Sequence, residues 1–431
     1  MVDAARSEGA EPNPGGWFDE ARFGMFIHVS HANGQGWELS WPLVGGVGSL
    51  PSAGRVPAEH WYDHIDEFRP APDCAQRWCR AAADAGMGYA VLVTKHHDGV
   101  CNFPSASPSL QLADGRDLVG EFVTAARAHG LRVGLYFSLS DWAHPDYPAW
   151  QPSMAPYSFF AYPRPPADAW ERFGHHLRAQ LTQLLTDYGR IDELWFDGGW
   201  ERMPDEWGSA ELETLIRTLQ PDILINDRLP GLAADFATPE QLIPAEPAPG
   251  RTETCMTLNR SWGWVPTDTD YKSGRDVVQL LAGVAGLGGN LLLNVSPMPD
   301  GSLPQPQVDA LADVGAWMER NRDAVVGTVP GLEPWQWYGP STRRGGTVHL
   351  ICVMAPYERV TLRGVQVHRV RSVVALASGR ELEWSTRVSA LDEILGGDCL
   401  GEVVIEVPPD VVDPLATVLS VDFADATLDR R

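Results

Sequence analysis

The chain has 431 residues, 44% hydrophobic and 21% charged, a composition typical of soluble globular proteins and a length beyond one small core. Its formal net charge of -24 repels phosphate backbones and anionic lipids, so neither nucleic acid nor a membrane is an expected partner. A neutral ligand such as a sugar suits that charge. The 17 Trp against 13 Phe and 10 Tyr add flat apolar faces on which sugars stack, although most such rings serve packing.

The opening residues contain no apolar run of the signal-peptide kind, and no segment reaches the ~18 apolar residues of a membrane span. A cytoplasmic location is the expectation. The six cysteines are scattered without a CxxC pair, as expected of free thiols. Association into a homo-oligomer is compatible with the sequence and is not fixed by it.

Up to about residue 330, strand-like and helix-like segments alternate, which predicts repeated β-α units around a parallel sheet. Strands are expected at 23–29, 89–94, 132–137, 193–196, 223–226 and 290–295. Two more are expected near 252–257 and in the weakly patterned stretch before it. Asp73-Cys74-Ala75-Gln76 reads as a capping box opening a helix that runs to Gly86, and Asp117 caps another ending at His129-Gly130. Trp170, Phe173, Leu177, Leu181, Leu184 and Tyr188 recur at helical steps and form one apolar stripe. Two further helices are expected at 275–287 and 305–320. Residues 1–330 are thus assigned to one α/β domain. Beyond 331, short β-rich runs broken by Gly, Pro and Asp predict a compact antiparallel β-sandwich over 331–431.

The strand at 191–199, Ile-Asp-Glu-Leu-Trp-Phe-Asp-Gly-Gly, ends in a carboxylate followed by two glycines. A charged group at the mouth of a buried strand is costly without a function, and catalytic groups of parallel barrels sit at the carboxyl ends of their strands. Asp197 is therefore the candidate nucleophile. Other strand ends are polar as well, with His28, Lys95-His96-His97-Asp98-Gly99, Ser138, Asn226-Asp227-Arg228 and Glu253. His96-His97 admits a metal reading, but neighbours on a strand face opposite ways and the first strand carries no HxH, so no metal is assigned. Glycoside hydrolysis usually needs a second carboxyl that holds a proton. Glu253 leads, ahead of Glu240, with Glu38 third. Asp192 and Glu193 read as solvated charges at a strand start.

Phe23-Gly24-Met25-Phe26-Ile27-His28, the Lys-His-His-Asp-Gly run at 95–99, Gly134-Leu135-Tyr136-Phe137-Ser138, Trp195-Phe196-Asp197-Gly198 and Gly289-Asn290-Leu291-Leu292-Leu293-Asn294-Val295 resemble, in order, the α-L-fucosidases of glycoside hydrolase family 29. The resemblance spans roughly 17–300. It implies a (β/α)8-like, TIM-type barrel followed by a C-terminal antiparallel β-sandwich, and retaining hydrolysis of terminal α-L-fucosides through a covalent fucosyl-Asp intermediate, with no metal or other cofactor. A fucosylated oligosaccharide or glycoconjugate is the implied partner. Asp197 matches the nucleophile, and His28, His96, His97, Tyr136 and Trp195 match positions that hold the sugar. Glu38, preceded by Trp37, matches a Glu-Trp site whose residue order is reversed in this chain. Glu253 in Arg-Thr-Glu-Thr-Cys-Met is favoured as acid/base, with Glu240 in the adjoining Thr-Pro-Glu as the other choice. A related α-L-galactosidase and a metal-dependent barrel hydrolase are the alternatives.

Overall fold

Seven parallel strands curl into a ring in the computed structural model, which describes residues 15–46, 55–148, 150–154, 157 and 162–424. They are β1 (Phe23–Ile27), β2 (Tyr89–Lys95), β3 (Arg132–Ser138), β4 (Glu193–Asp197), β5 (Leu224–Ile225), β6 (Glu253–Thr257) and β7 (Asn290–Val295). Their order in the sheet is β5-β4-β3-β2-β1-β7-β6. The gap between β5 and β6 is filled by 236–240, which makes parallel bridges to both sides, Asn226 to Phe236, Ala237 to Thr252 and Glu240 to Cys255. This is the eighth stave of the barrel. Its weak sequence pattern has a physical source, because Pro239 has no N–H to give to a ladder.

Side chains alternate across each strand. Phe26, Val91, Tyr136, Trp195 and Leu292 point inward and fill the barrel. Ile27, Leu92, Leu135, Leu194 and Leu293 point outward beneath the helices. Because both faces are covered, the strands read as unbroken apolar runs rather than alternating ones. The outer layer includes helices Cys74–Asp84, Leu118–Ala128, Ala167–Thr186, Gly274–Gly286 and Gln305–Asn321. The predicted stripe on the long third helix is where packing occurs, with Phe173, Leu177, Leu181 and Leu184 buried. Asp117 caps its helix by accepting the Gly120 N–H at 2.8 Å. Asp73 makes no such cap, and its carboxylate lies 3.4 Å from Arg77 one turn on.

Antiparallel strands begin with Val329–Pro330 and continue through Ser341–Arg344, Thr347–Cys352, Arg359–Gln366, Val370–Ala375, Arg380–Glu381, Trp384–Arg387, Leu400–Glu406 and Thr417–Phe423. They form a six-stranded and a three-stranded sheet around Leu350, Leu362, Ile405 and Leu419. The sandwich docks on the last barrel helix, where the Trp317 indole donates to the Ala416 carbonyl at 2.8 Å. Among the described residues, no helix is long and apolar enough to cross a membrane.

Candidate active site

Alternation along β4 sends Trp195 and Asp197 into the barrel together, one layer apart, and Asp197 emerges at the carboxyl end. Gly198 follows with φ of +72°, and a Cβ there would lie 2.9 Å from Ser140 Oγ, 3.0 Å from Ser138 Oγ and 3.1 Å from His97 Nδ1. Only glycine turns the chain so close to the histidine that flanks the carboxylate. Asp197 is 8% exposed. Its Oδ2 accepts the Tyr136 hydroxyl at 2.8 Å, and its Oδ1 lies 3.2 Å from Arg228 Nη1.

Arg228 is the residue the sequence reading did not assign. It follows a two-residue strand, so no alternation reported which way it points. Its guanidinium stands 4.6 Å over the Trp195 ring, and its Nη2 donates to Glu240 Oε2 at 2.7 Å. Burial works against its charge, but Asp197 and Glu240 outweigh that and push its pKa up. One cation thus touches both Asp197 and Glu240. The Glu240 side chain is 40% exposed, at the open end of the barrel.

Glu253 lies elsewhere. As the first residue of β6 it sits at the opposite end of the barrel and is 0% exposed. Its Oε2 accepts the Tyr89 hydroxyl at 2.5 Å and its Oε1 the Trp195 indole at 2.9 Å. The structure does not bring it to Asp197, because the Trp195 ring lies between them. Glu193 is its neighbour, fully buried rather than solvated at a strand start. Burial raises the pKa of both carboxyls, and their proximity raises that of Glu193 further.

The three histidines do gather at the pocket. His28 and His96 rings are 6.3 Å apart, His96 and His97 rings 4.0 Å, and His96 stacks parallel to Tyr136. Burial drives all of them neutral, His28 and His97 to pKa values of about 4 and His96 well below its usual range. Their bonding partners fix the tautomers. Asn294 gives its amide N–H to the Trp262 carbonyl, so its oxygen accepts from His28 Nδ1 at 2.6 Å. Ser138 gives its proton to the Ser140 carbonyl and accepts from His97 Nδ1 at 2.8 Å. Ser40 accepts the Asp98 N–H, leaving its own proton for His96 Nδ1 at 2.6 Å. His28 and His97 therefore offer a lone pair at Nε2, whereas His96 offers an N–H. His97 Nε2 is buried without a hydrogen-bond partner, 3.8 Å from Asp197 Oδ2. Two acceptors so close suit a shared hydroxyl donor. Beneath the pair, the buried Lys95–Asp141 contact at 3.1 Å and the Trp142 N–H to the His97 carbonyl anchor the turn.

Glu38 and Trp37 are placed differently from expectation. Both Glu38 oxygens accept backbone N–H groups, from Trp262 at 2.6 Å and Gly263 at 2.9 Å, so the side chain braces a loop. Burial pushes its pKa up to about 8, and those two bonds oppose the shift. Trp37 stacks on Trp61 at 4.7 Å beside His60 and His64, away from Asp197. Indoles do stand near the site, Trp41 among them, 5.1 Å from the His97 ring and 6.3 Å from His96. Trp262 also reaches it, 5.0 Å from His28. Among the described residues, no group of three or more His, Cys, Asp or Glu is arranged to hold a metal ion.

Two carboxyls at the carboxyl end of a parallel barrel, Asp197 nearly buried and Glu240 open to solvent, match the paired carboxyls that glycoside hydrolysis uses. The family model described as alpha-L-fucosidase matches residues 4–323. The chain belongs to the alpha-L-fucosidase family. Its members are glycoside hydrolases, and this chain is one. The tissue alpha-L-fucosidase of Macaca fascicularis is 27% identical over 399 residues, covering 86% of this chain and 82% of that protein. The structure of alpha-L-fucosidase isoenzyme 1 from Paenibacillus thiaminolyticus superposes with a TM-score of 0.82 at 34% identity, over 96% of this chain and 99% of the other. A family 29 alpha-L-fucosidase from Bacteroides thetaiotaomicron, trapped as a covalent intermediate with a 2-fluoro-fucosyl compound, superposes at 0.77 with 25% identity over 97% and 98%.

Proposed function

We propose that this alpha-L-fucosidase acts by double displacement, with Asp197 as nucleophile and Glu240 as acid/base. The observation that carries the reading is the single Arg228 guanidinium touching both Asp197 and Glu240 at the open end of the barrel. In the first step a carboxylate oxygen of Asp197 bonds to the anomeric carbon of a terminal α-L-fucoside. The glycosidic bond breaks, and its oxygen takes the Glu240 proton. In the second step Glu240 removes a proton from water, and the resulting nucleophile releases fucose from Asp197. In this reading the acid step needs Glu240 protonated and off Arg228, since a carboxylate held by a guanidinium has no proton to give, and the cation then stays beside Asp197. Glu253 takes no part in proton transfer, since a buried residue beneath Trp195 has no path to the leaving oxygen.

The trapped intermediate of the Bacteroides relative supports the covalent route. His28 and His97 would accept from sugar hydroxyls and His96 would donate to one, in contacts that tighten as the ring flattens toward the oxocarbenium-like state. Apolar rings such as Trp262 and Phe26, beside His28, would meet the C6 methyl. A CH2OH in its place, as in α-L-galactosides, would lose ~1–3 kcal/mol.

The experiment is azide rescue. Asp197→Gly should abolish hydrolysis of an activated aryl α-L-fucoside, and added azide should restore turnover with fucosyl azide as product. Unchanged hydrolysis by Asp197→Gly would overturn the assignment.

A further inference from the structure

The cation at the pocket is held by more than the two carboxyls it touches. Arg228 gives its third edge, the Nε–H, to the hydroxyl oxygen of Thr238 at 3.0 Å. Thr238 in turn donates its proton to Asp227 Oδ1 at 2.6 Å. A hydroxyl has one proton, so with that proton on Asp227 it meets Arg228 as an acceptor only. The run from carboxylate through hydroxyl to guanidinium is charge-assisted at both ends, where hydrogen bonds are short and strong. The Thr238 carbonyl adds a weaker contact, 3.5 Å from Nη2.

Thr238 owes its place to the eighth stave. Side chains alternate there, so Phe236, Thr238 and Glu240 share one side, and Phe236 is buried in the barrel. Strand β6 fixes the backbone between them, through Glu253 N–H to the Ala237 carbonyl at 2.8 Å and Cys255 N–H to the Pro239 carbonyl at 3.0 Å. Thr238 is buried, so little water competes for the Nε–H. Asp227 and Arg228 follow the neighbouring strand β5, where Asn226 bridges Phe236. One short segment thus supplies both Glu240 and the group that sets the plane of the cation beside it.

A planar guanidinium is a rigid fork, and what it contacts depends on how that plane is turned. In the proposed reaction Glu240 leaves Arg228 at the acid step. An untied Arg228 would then turn both Nη groups onto Asp197, engaging Oδ2, which already accepts the Tyr136 hydroxyl. The cation would hold both carboxylate oxygens just when one must bond to carbon. We infer that Thr238, oriented by Asp227, is a positioning residue: it pins the Nε edge of Arg228 so that a single N–H stays on Asp197 Oδ1 through both steps. The inference rests on the proposed roles of Asp197 and Glu240 and adds what keeps the cation in place between them.

The test is a double-mutant cycle in kcat on an activated aryl α-L-fucoside. Thr238→Val removes the hydroxyl and should lower kcat about tenfold, with KM within about threefold. Thr238→Ser keeps the hydroxyl and should stay within about twofold of the unaltered enzyme. In an Arg228→Met background, Thr238→Val should change kcat less than about twofold, because no guanidinium is left to position. The same loss in both backgrounds, no loss in Thr238→Val, or no recovery in Thr238→Ser would overturn the inference. Asp227 is exposed, so Asp227→Ala takes over the cycle if Thr238→Val fails to fold. A loss of about threefold is expected, absent in Arg228→Met, and equal effects in both backgrounds would again overturn the inference. Unaltered enzyme that cleaves no fucoside would sink the functional reading instead. Urea unfolding of the same four proteins then still reads the tie, since Thr238→Val should cost less stability where Arg228 is already gone, and additive costs would sink it.

Discussion

The Glu253 carboxyl accepts the indole N–H of Trp195 at 2.9 Å from below, while the Arg228 guanidinium stands 4.6 Å over the same ring from above. Trp195 thus separates a buried carboxyl from the cation that serves the pocket. Glu240→Ala should lose ~10²–10⁴ in kcat on a fucoside with a poor leaving group and much less on an activated one. Glu253→Gln should change both substrates by the same factor, because it acts on the seating of Trp195. Steady-state kinetics on a series of aryl fucosides separates the two, and a leaving-group dependence confined to Glu253→Gln would reverse the assignment.

Arg228 yields a second prediction. Its Nη1 lies 3.2 Å from the nucleophile in a site where little water remains to screen the charge. Arg228→Met removes that cation while keeping some of the apolar stem over Trp195. The expected cost is ~10²–10³ in kcat, comparable to removing one preorganised donor from a developing charge. Exogenous guanidinium should recover part of it. Full activity in Arg228→Met would show that the pair is structural only.

Most of the barrel was legible because strands buried on both faces must be apolar throughout, and each ended abruptly in polar residues. The stave at 236–240 was poorly legible because its bonds come from isolated bridges and include a proline. The Asp197 position could be read from Trp-Phe-Asp-Gly-Gly, since strand alternation and the glycine turn fix it. Glu253 misled for a different reason. The strand expected near 252–257 already put Glu253 at its start, the amino end of a parallel barrel, and the likeness of its motif to the family's pattern favoured it despite that position. Trp37 and Trp41 are four residues apart in a segment without a repeating pattern, so the choice between them needed the fold.

His28 and His97 should each pull stability down as pH drops from about 6.5 toward 4. His28 and His97 have folded pKa values of about 4, lowered first by burial, against an ordinary 6.5. In that window the unfolded chain binds protons that the folded chain refuses, so acid favours unfolding. Each histidine contributes at most ~3 kcal/mol, present in full above 6.5 and lost on the way down. Glu38 works in the opposite sense. Its folded pKa of about 8 means that its contribution declines as pH rises from 4.5 to 8. Asp98 and Glu253, both pushed up to about 7 by burial, act in the same sense. Urea denaturation across pH 4 to 8 should show His97→Gln losing less stability than the unaltered protein between pH 6.5 and 4, by one histidine's share. An identical slope in His97→Gln would place the pH sensitivity elsewhere.

Trp37 and Trp41 separate packing from binding. Trp37 is stacked on the fully buried Trp61 within 20° of parallel. Trp37→Ala should therefore cost about 2–3 kcal/mol of unfolding free energy, below the full core value because the ring is only partly buried. Its KM should change little. Trp41 faces His97 and Trp200 at the pocket edge. Trp41→Ala should raise KM on the order of tenfold, roughly 1.4 kcal/mol of lost sugar contact, and should also cost stability, because the ring is 8% exposed. Denaturant midpoints and KM values measured on the same two preparations check both halves. If Trp37→Ala carried the KM effect and Trp41→Ala left KM unchanged, the sugar would have to approach from the Trp61 side, and the pocket around Asp197 would lose its claim to the substrate.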